Sequence, residues 1–391
     1  MVPKGWKRVP IKDVCESIID CVNKTAPVVD YETPFKMIRT TNVRNGRVNT
    51  EDVRYVTEDT YLQWVRRGKP QVGDIIFTRE APVGEAGVLQ DAEGIFLGQR
   101  TMMYRADTCL SDNYFLFYSL SSPFCQKQIE DFSNGGTVAH MRVPDCGEIL
   151  INLPPFLEQK KIAQILSTWD KAISVTEKLL TNSQQQKKAL MQQLLTGKKR
   201  LLDENGVRFS GEWRNSTLSM FCNIAKGKAL SASDLEVGDF PVIAGGKSSP
   251  YSHSDYTHEN VVTVSASGAY AGYISYHNYK IWASDCSVVS AKADNLIDYF
   301  YQLLLSLQDK IYSLQSGGAQ PHIYPKDLNS IPLWVPCVKE QQKIAAVLSA
   351  ADAEISTLEK KLACLRDEKK ALMQQLLTGK RRVKVDEAVA E

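Results

Sequence analysis

Nowhere in the chain do about eighteen apolar residues follow one another, so no segment is built to cross a membrane as a helix. The opening Met1-Val2-Pro3-Lys4-Gly5-Trp6 lacks the apolar core of a secretory leader. The nine cysteines include no C-x-x-C pair, so they read as reduced thiols of a cytoplasmic protein rather than a disulfide framework. Five histidines and those cysteines show no metal-ligand spacing. Net charge is scarce too. Forty-seven Lys and Arg against 45 Asp and Glu leave +2, so no global field announces a polyanionic partner, and any face for one must come from local clustering. What remains is an ordinary globular balance, 43% hydrophobic and 24% charged, over 391 residues, enough for two or three domains.

The organising feature is an internal repeat. Glu158-Gln159-Lys160-Lys161-Ile162-Ala163 returns as Glu340-Gln341-Gln342-Lys343-Ile344-Ala345, an offset of 340 − 158 = 182. Without a gap, 26 of the 43 positions from Glu158 to Arg200 agree with Glu340 to Arg382, ending in a perfect match of Lys187–Lys198 with Lys369–Lys380. Upstream the same offset pairs Gly135-Gly136 with Gly317-Gly318, His140 with His322, Asp145 with Asp327 and Pro154 with Pro336. Further back, Trp6 pairs with Trp213 and Cys15 with Cys222 at an offset of 207, so the second module is 207 − 182 = 25 residues shorter. The bodies of the modules, about 20–130 and 227–312, share no obvious similarity. Two near-identical segments thus carry two divergent heads.

The near-identical segments read as long helices. No Gly or Pro interrupts 158–196, and Ile162, Leu166, Trp169, Ile173, Leu180, Leu190 and Leu194 follow a spacing of three and four, as do Ile344, Leu348, Ala351, Ile355, Leu358, Leu362, Leu365, Leu372 and Leu376 in the second copy. Prolines precede each, Gly197 and Gly379 stand where a helix would stop, and Lys198-Lys199-Arg200 and Lys380-Arg381-Arg382 follow where cations favour the C-terminus. Thirty-nine residues span roughly 58 Å, and a stripe that long wants a partner of equal length. The fold class expected is α+β: two globular mixed α/β modules separated by two long helices that form an antiparallel coiled coil, a pseudo-two-fold internal repeat. Residues 383–391 form a tail, and the chain's two ends are expected to lie together. Ala189, Met191, Gln192 and Leu195, with Ala371, Met373, Gln374 and Leu377, are retained outside the seam, which points to a common partner subunit docking on both helices.

Short strands are expected at 72–78 and 260–265, and helices at 112–128 and 298–314. The polar residues that suit DNA in the first module are Arg39, Arg44, Thr78, Arg79, Gln99, Arg100 and Arg142, with the Gly135-Gly136 loop and His140. In the second they are Lys226, Lys228, Gly246, Lys247, Ser265 and Ser267, with Gly317, Gly318, Gln320 and His322. Any one of these residues is as well explained by a solvated face, a tight turn or a structural histidine. Three catalytic leads fail. In Asn152-Leu153-Pro154-Pro155-Phe156 a leucine splits the N-P-P-F loop of amino-methyltransferases. Pro144-Asp145 with Glu158-Gln159-Lys160 matches a nuclease pattern whose lysine is missing in the second copy. Gly246-Lys247-Ser248 has Pro241 where a P-loop needs its first glycine.

Taken together, the N-G-G-x-x-x-H-M loop, the segment L-P-P-F-L-E-Q-K-K-I-A and the helix ending K-K-A-L-M-Q-Q-L-L-T-G-K-K-R, all built twice, resemble the specificity subunits of type I restriction–modification systems. The resemblance covers the whole chain, with a departure at Cys337-Val338-Lys339. It implies that residues 1–153 and 201–335 hold two target-recognition modules, the second behind a linker. Each would read one half of a split, asymmetric sequence in double-stranded DNA. The helices, 154–200 and 336–382, would fix the unread gap. Two modification subunits would bring S-adenosylmethionine, and restriction subunits ATP and magnesium, for phage defence; this chain would hold no cofactor, metal or catalytic residue. The rival readings are an adaptor whose heads bind proteins, and a nuclease or methyltransferase acting alone.

Overall fold

The computed structural model describes residues 2–133, 139–246, 251–317 and 320–385. The chain divides into two compact units, Met1–Thr176 with Lys361–Glu391, and Glu177–Lys360. The long helices run Phe156–Leu194 and Val338–Leu376. Both bounds keep the offset of 182, so the departure at Cys337-Val338-Lys339 does not move the second start. Gly197 and Gly379, at φ +70° and +69°, adopt the left-handed conformation that closes each helix and that residues with a Cβ avoid. Each unit holds the first part of one helix and the last part of the other.

The first unit is built on a four-stranded antiparallel sheet in the order Cys15–Asp20, Thr101–Ala106, Ile75–Arg79, Val83–Val88. Ile75–Arg79 is buried from end to end because both faces of the sheet are covered. Phe77, Met102 and Tyr104 face the helices Asn113–Leu120 and Pro123–Ser133 and the long helices' Ile162, Leu166, Leu376 and Leu377. Ile76 and Met103 face a second cluster with Ile38, from the long insertion between Cys15–Asp20 and Ile75–Arg79, and with Leu89, Ile95 and Leu97, from the segment between Val83–Val88 and Thr101–Ala106. The helix expected at 112–128 is two helices, since Pro123 has no N–H to continue the first one.

The second unit repeats this order: Cys222–Lys226, Cys286–Ala291, Val261–Ser265, Ile274–His277, again all antiparallel. Val262, Val264 and Val289 face the helix Ile297–Ser306 and Leu194, Leu195, Ile344 and Leu348 of the long helices. Val261 and Val288 face a smaller cluster with Ile281 and Ala283. Two bodies without sequence similarity therefore share one sheet, because a sheet covered on both faces needs apolar runs and not particular residues. His277 is buried in this sheet, its Nε2 2.9 Å from the Thr263 hydroxyl on the next strand. Burial lowers its pKa from 6.5 to about 4, favouring the neutral ring. The folded pKa lies below the unfolded one, so this contribution to stability is complete above pH ~6.5 and is lost as pH falls toward 4. A histidine-resolved NMR titration is expected to place the His277 midpoint near 4; a midpoint near 6.5 would contradict its burial.

Each unit joins its module to the helices through the same two ion pairs, with different neighbours around them. Glu158 is buried and takes two charge-assisted bonds from Arg382, Nε to Oε1 at 2.7 Å and Nη2 to Oε2 at 2.8 Å, while the Trp6 indole donates to Oε2 at 3.0 Å. In the second unit Glu340 takes the same fork from Arg200, at 2.6 and 2.7 Å, with the guanidinium over the Trp213 ring. A second rung pairs Lys369 with Asp170, which also accepts from the Tyr118 hydroxyl. Its counterpart pairs Lys187 with Asp352, which accepts from the Gln302 amide. As residue numbers rise along one helix they fall along its neighbour, so the two helix segments within each unit are antiparallel. Gln159 ties the start of its helix to the module by donating to the carbonyls of Leu110 and Pro154, and Gln341 bonds the carbonyl of Pro336 and the amide oxygen of Asn295. The repeated Glu-Gln is thus a structural joint, which also explains the false nuclease pattern. In the first unit Lys4 accepts from Arg382, and Pro3 lies against Gly379, so segments from the two ends of the sequence meet as expected.

Candidate nucleic-acid interface

One end of each sheet carries a corner with identical backbone wiring. In the first unit the Arg79 N–H donates to the Arg100 carbonyl at 2.9 Å, and the Met141 N–H donates to the Arg79 carbonyl at 3.0 Å. His140, on the segment that follows the glycine loop, makes a β-bridge with Glu80. In the second unit Ala266 donates to Asp285 at 3.2 Å, Ile323 donates to Ala266 at 2.9 Å, and His322 bridges Ser267. The hydrogen bonds therefore equate Arg79 with Ala266, Glu80 with Ser267, Arg100 with Asp285 and His140 with His322. His140 and His322 are thus pinned to the same end of their sheets.

The side chains at this corner differ. Arg100 is exposed, and Glu80 holds its Nε at 2.9 Å. Gln99 and His140 are exposed beside it. Beneath, Arg79 is buried, bonded to Asp20 at 3.0 Å and to the Met141 carbonyl at 3.2 Å. In the second unit the Ser267 hydroxyl bonds the Asp285 carboxylate, and a Cβ on Gly245 would come within 3.2 Å of that same carboxylate oxygen. His322 stacks on Tyr324, which lies under Lys326.

The remaining sequence-selected residues divide by burial. Thr78 is fully buried and donates to the Pro82 carbonyl at 2.6 Å, and Ser265 is buried within its strand. These two and Arg79 build the corner rather than its surface. The Arg44 guanidinium caps the carbonyls of Thr40 and Val43, and Arg39 is half-buried at the neighbouring turn. Arg142 is exposed but forks onto Asp145. Lys226 and Lys228 are exposed, the latter over the Trp282 ring. Gly317 has φ +96°, Gln320 is exposed, and Gly246 is half-buried beside Gly245. Gly135, Gly136, Lys247 and Gly318 lie outside the described residues. Glu80 and Asp285 were not among the sequence candidates, which were basic residues, uncharged polar residues, histidines and glycines. Their signal was positional: Asp285 immediately precedes its strand, as Arg100 does.

On the helices, Leu195 and Leu377 are buried in the module cores, with Met191 and Met373 packed beside them. Packing within each unit is thus one reason for their retention in both copies. Ala189, Gln192, Ala371 and Gln374 are exposed. Among the described residues, no group of three His, Cys, Asp or Glu is placed to hold a metal ion, and no helix is long and apolar enough to cross a membrane.

A repeated sheet with a variable corner, joined each time to the same helix pair, defines a two-module recognition protein. The family model of the type I restriction modification DNA specificity domain matches residues 3–182 and 210–365. The chain is 25% identical to a putative type I restriction enzyme MjaX specificity subunit of Methanocaldococcus jannaschii, over 98% of this chain and 95% of that one. It is 23% identical to the StySPI specificity subunit of Salmonella potsdam, over 92% and 85%. The crystal structure of a type I system S subunit from M. genitalium has the same fold, with a TM-score of 0.71 at 19% identity over 96% of this chain and 99% of that one. The chain belongs to the type I restriction–modification DNA-specificity family. It is a non-catalytic specificity subunit, which recognises a DNA target and directs its partner subunits.

Proposed function

We propose that each unit reads one half of a split DNA target and that the strand-end corner is the surface that meets the duplex. The observation that carries this reading is the double construction of the corner. Its backbone bonds are the same in both units while its exposed side chains differ, as expected when one scaffold serves two different half-sites. Base edges would be read by Gln99, Arg100 and His140 in the first half-site, and by Ser267, Gln320 and His322 in the second. Arg39, Arg44, Arg142, Lys226, Lys228 and Lys247, with the glycine loops 135–136 and 317–318 and Gly246, would lie along the phosphates, which fix register without reading sequence. Thr78, Arg79 and Ser265 hold the corner from inside.

Two modification subunits would dock on the helices through Ala189, Gln192, Ala371 and Gln374, bringing S-adenosylmethionine and methylating an adenine in each half-site. Restriction subunits would bring ATP and magnesium. Salt titration of duplex binding by the chain complexed with its modification subunits tests the DNA-facing part. We expect log K to fall linearly with log salt, with a slope of about −0.9 per neutralised phosphate. Binding that ignores salt, or no binding to duplex while a protein partner is held, would favour the adaptor reading instead.

A further inference from the structure

Resting on the assignment of the corner as the DNA-facing surface, we propose that Arg100 and Asp285 are one base-reading position, occupied by opposite chemistry in the two units. Arg100 takes a base edge that offers two acceptors, which in the major groove is guanine. Asp285 takes an edge that offers an amino donor, cytosine above all.

Three observations meet here. First, the two residues are equivalent by hydrogen bonding, each accepting at its carbonyl from the end of the neighbouring strand (Arg79, the last residue of Ile75–Arg79, or Ala266, the first after Val261–Ser265) and each immediately preceding a core strand, Thr101–Ala106 or Cys286–Ala291. Second, each side chain is oriented by the residue across the corner. Glu80 fixes the Arg100 guanidinium and the Ser267 hydroxyl fixes the Asp285 carboxylate. Orientation of this kind is what a reader needs, because a side chain already held loses less freedom on binding. Third, both corners accept an unfavourable feature. Arg100 has φ +68°, a left-handed conformation uncommon outside glycine. Asp285 places a negative charge at a surface that would face phosphates, and a Cβ on Gly245 would lie 3.0 Å from the Ser267 carbonyl and 3.2 Å from the Asp285 carboxylate, closer than an ordinary contact. A carboxylate beside DNA is repelled by the backbone and by every base edge made of acceptors, so it contributes discrimination rather than affinity.

The test is methylome sequencing of a host that expresses the holo complex with wild-type chain, Arg100→Ala, Arg100→Lys, Asp285→Ala or Asp285→Asn, each with circular dichroism and assembly checked on the purified complex. In Arg100→Ala, one guanine of one half-site is expected to relax roughly ten- to hundredfold in discrimination, with the other half unchanged. Asp285→Ala is expected to relax one cytosine or adenine of the other half. Lysine and asparagine, which keep part of the hydrogen bonding, would retain part of the preference and guard against a folding artefact in the alanine variants. Unchanged motifs in all four variants would overturn the proposal. So would a uniform loss of affinity on every sequence with the motif intact, which is the behaviour of a phosphate contact. A wild-type complex that methylates no split motif would instead remove the DNA-reading assignment beneath it.

Discussion

Replacing Arg200 by alanine is expected to destabilise the Glu177–Lys360 unit by about 3 kcal/mol, at the lower edge of the range for breaking a buried ion pair from one side. The Glu340 side chain is 1% exposed, and without the guanidinium its two oxygens lose both charge-assisted bonds and cannot recover them from water. In a unit of this size that corresponds to roughly 6–12 °C in the transition reporting on it, followed by calorimetry of the intact chain. The pair's value lies in not being broken. Arg200→Met combined with Glu340→Met is expected to recover most of the loss, because two packed apolar side chains leave no orphaned charge. The equivalent Arg382→Ala is expected to cost less, since Arg382 is 45% exposed against 21% for Arg200 and water reaches its site more readily. A change below about 0.5 kcal/mol in Arg200→Ala, the range of ordinary surface substitutions, would contradict the joint's structural role.

Exchanging residues 1–153 for the corresponding module of another specificity subunit is expected to replace one half of the recognised sequence completely and to leave the other untouched. Each unit has its own principal core, and the cut at 153 falls between the strand Leu150–Leu153 and the start of the helix at Phe156. The incoming module must present what the helix expects. It needs an indole where Trp6 donates to Glu158, a carbonyl and an N–H where Leu110 and Asp112 meet Gln159, and a donor where Tyr118 meets Asp170. Methylation motifs of the chimaera check this directly. A change in both halves would mean that the units do not read independently. Loss of all methylation is expected only when those joint residues are absent from the donor module, and restoring them would return activity.

The helices could be read almost completely from the sequence because their constraints are local and repeated. An uninterrupted 3.6-residue pattern, prolines ahead and a glycine behind bound them to within two residues at each end. The sheets could not be matched that way. Val261–Ser265 and Ile75–Arg79 align through hydrogen-bond partners, and any apolar run fills such a strand, so similarity vanished while topology persisted. The site followed suit. His140 and His322 were found because the offset of 182 carries them. Thr78, Arg79 and Ser265 were chosen on the strands beside them yet are buried, because both faces of each sheet are covered and neither side of the strand reaches the surface. Glu80 and Asp285 were passed over because an acidic side chain is repelled by phosphates and gives no sign of DNA contact in a sequence. The repeated leucines and methionines of the helix ends looked like a docking face because packing against the module and packing against a partner leave the same trace in a single sequence.

The central claim is that one chain reads two half-sites. Methylome sequencing tests it most directly, in a host lacking other methylases that expresses this chain with its modification subunit. The account predicts a single split motif with methyladenine in both halves. No new methylation, despite a stable complex with DNA, would contradict it and leave a scaffold that binds DNA without directing its modification.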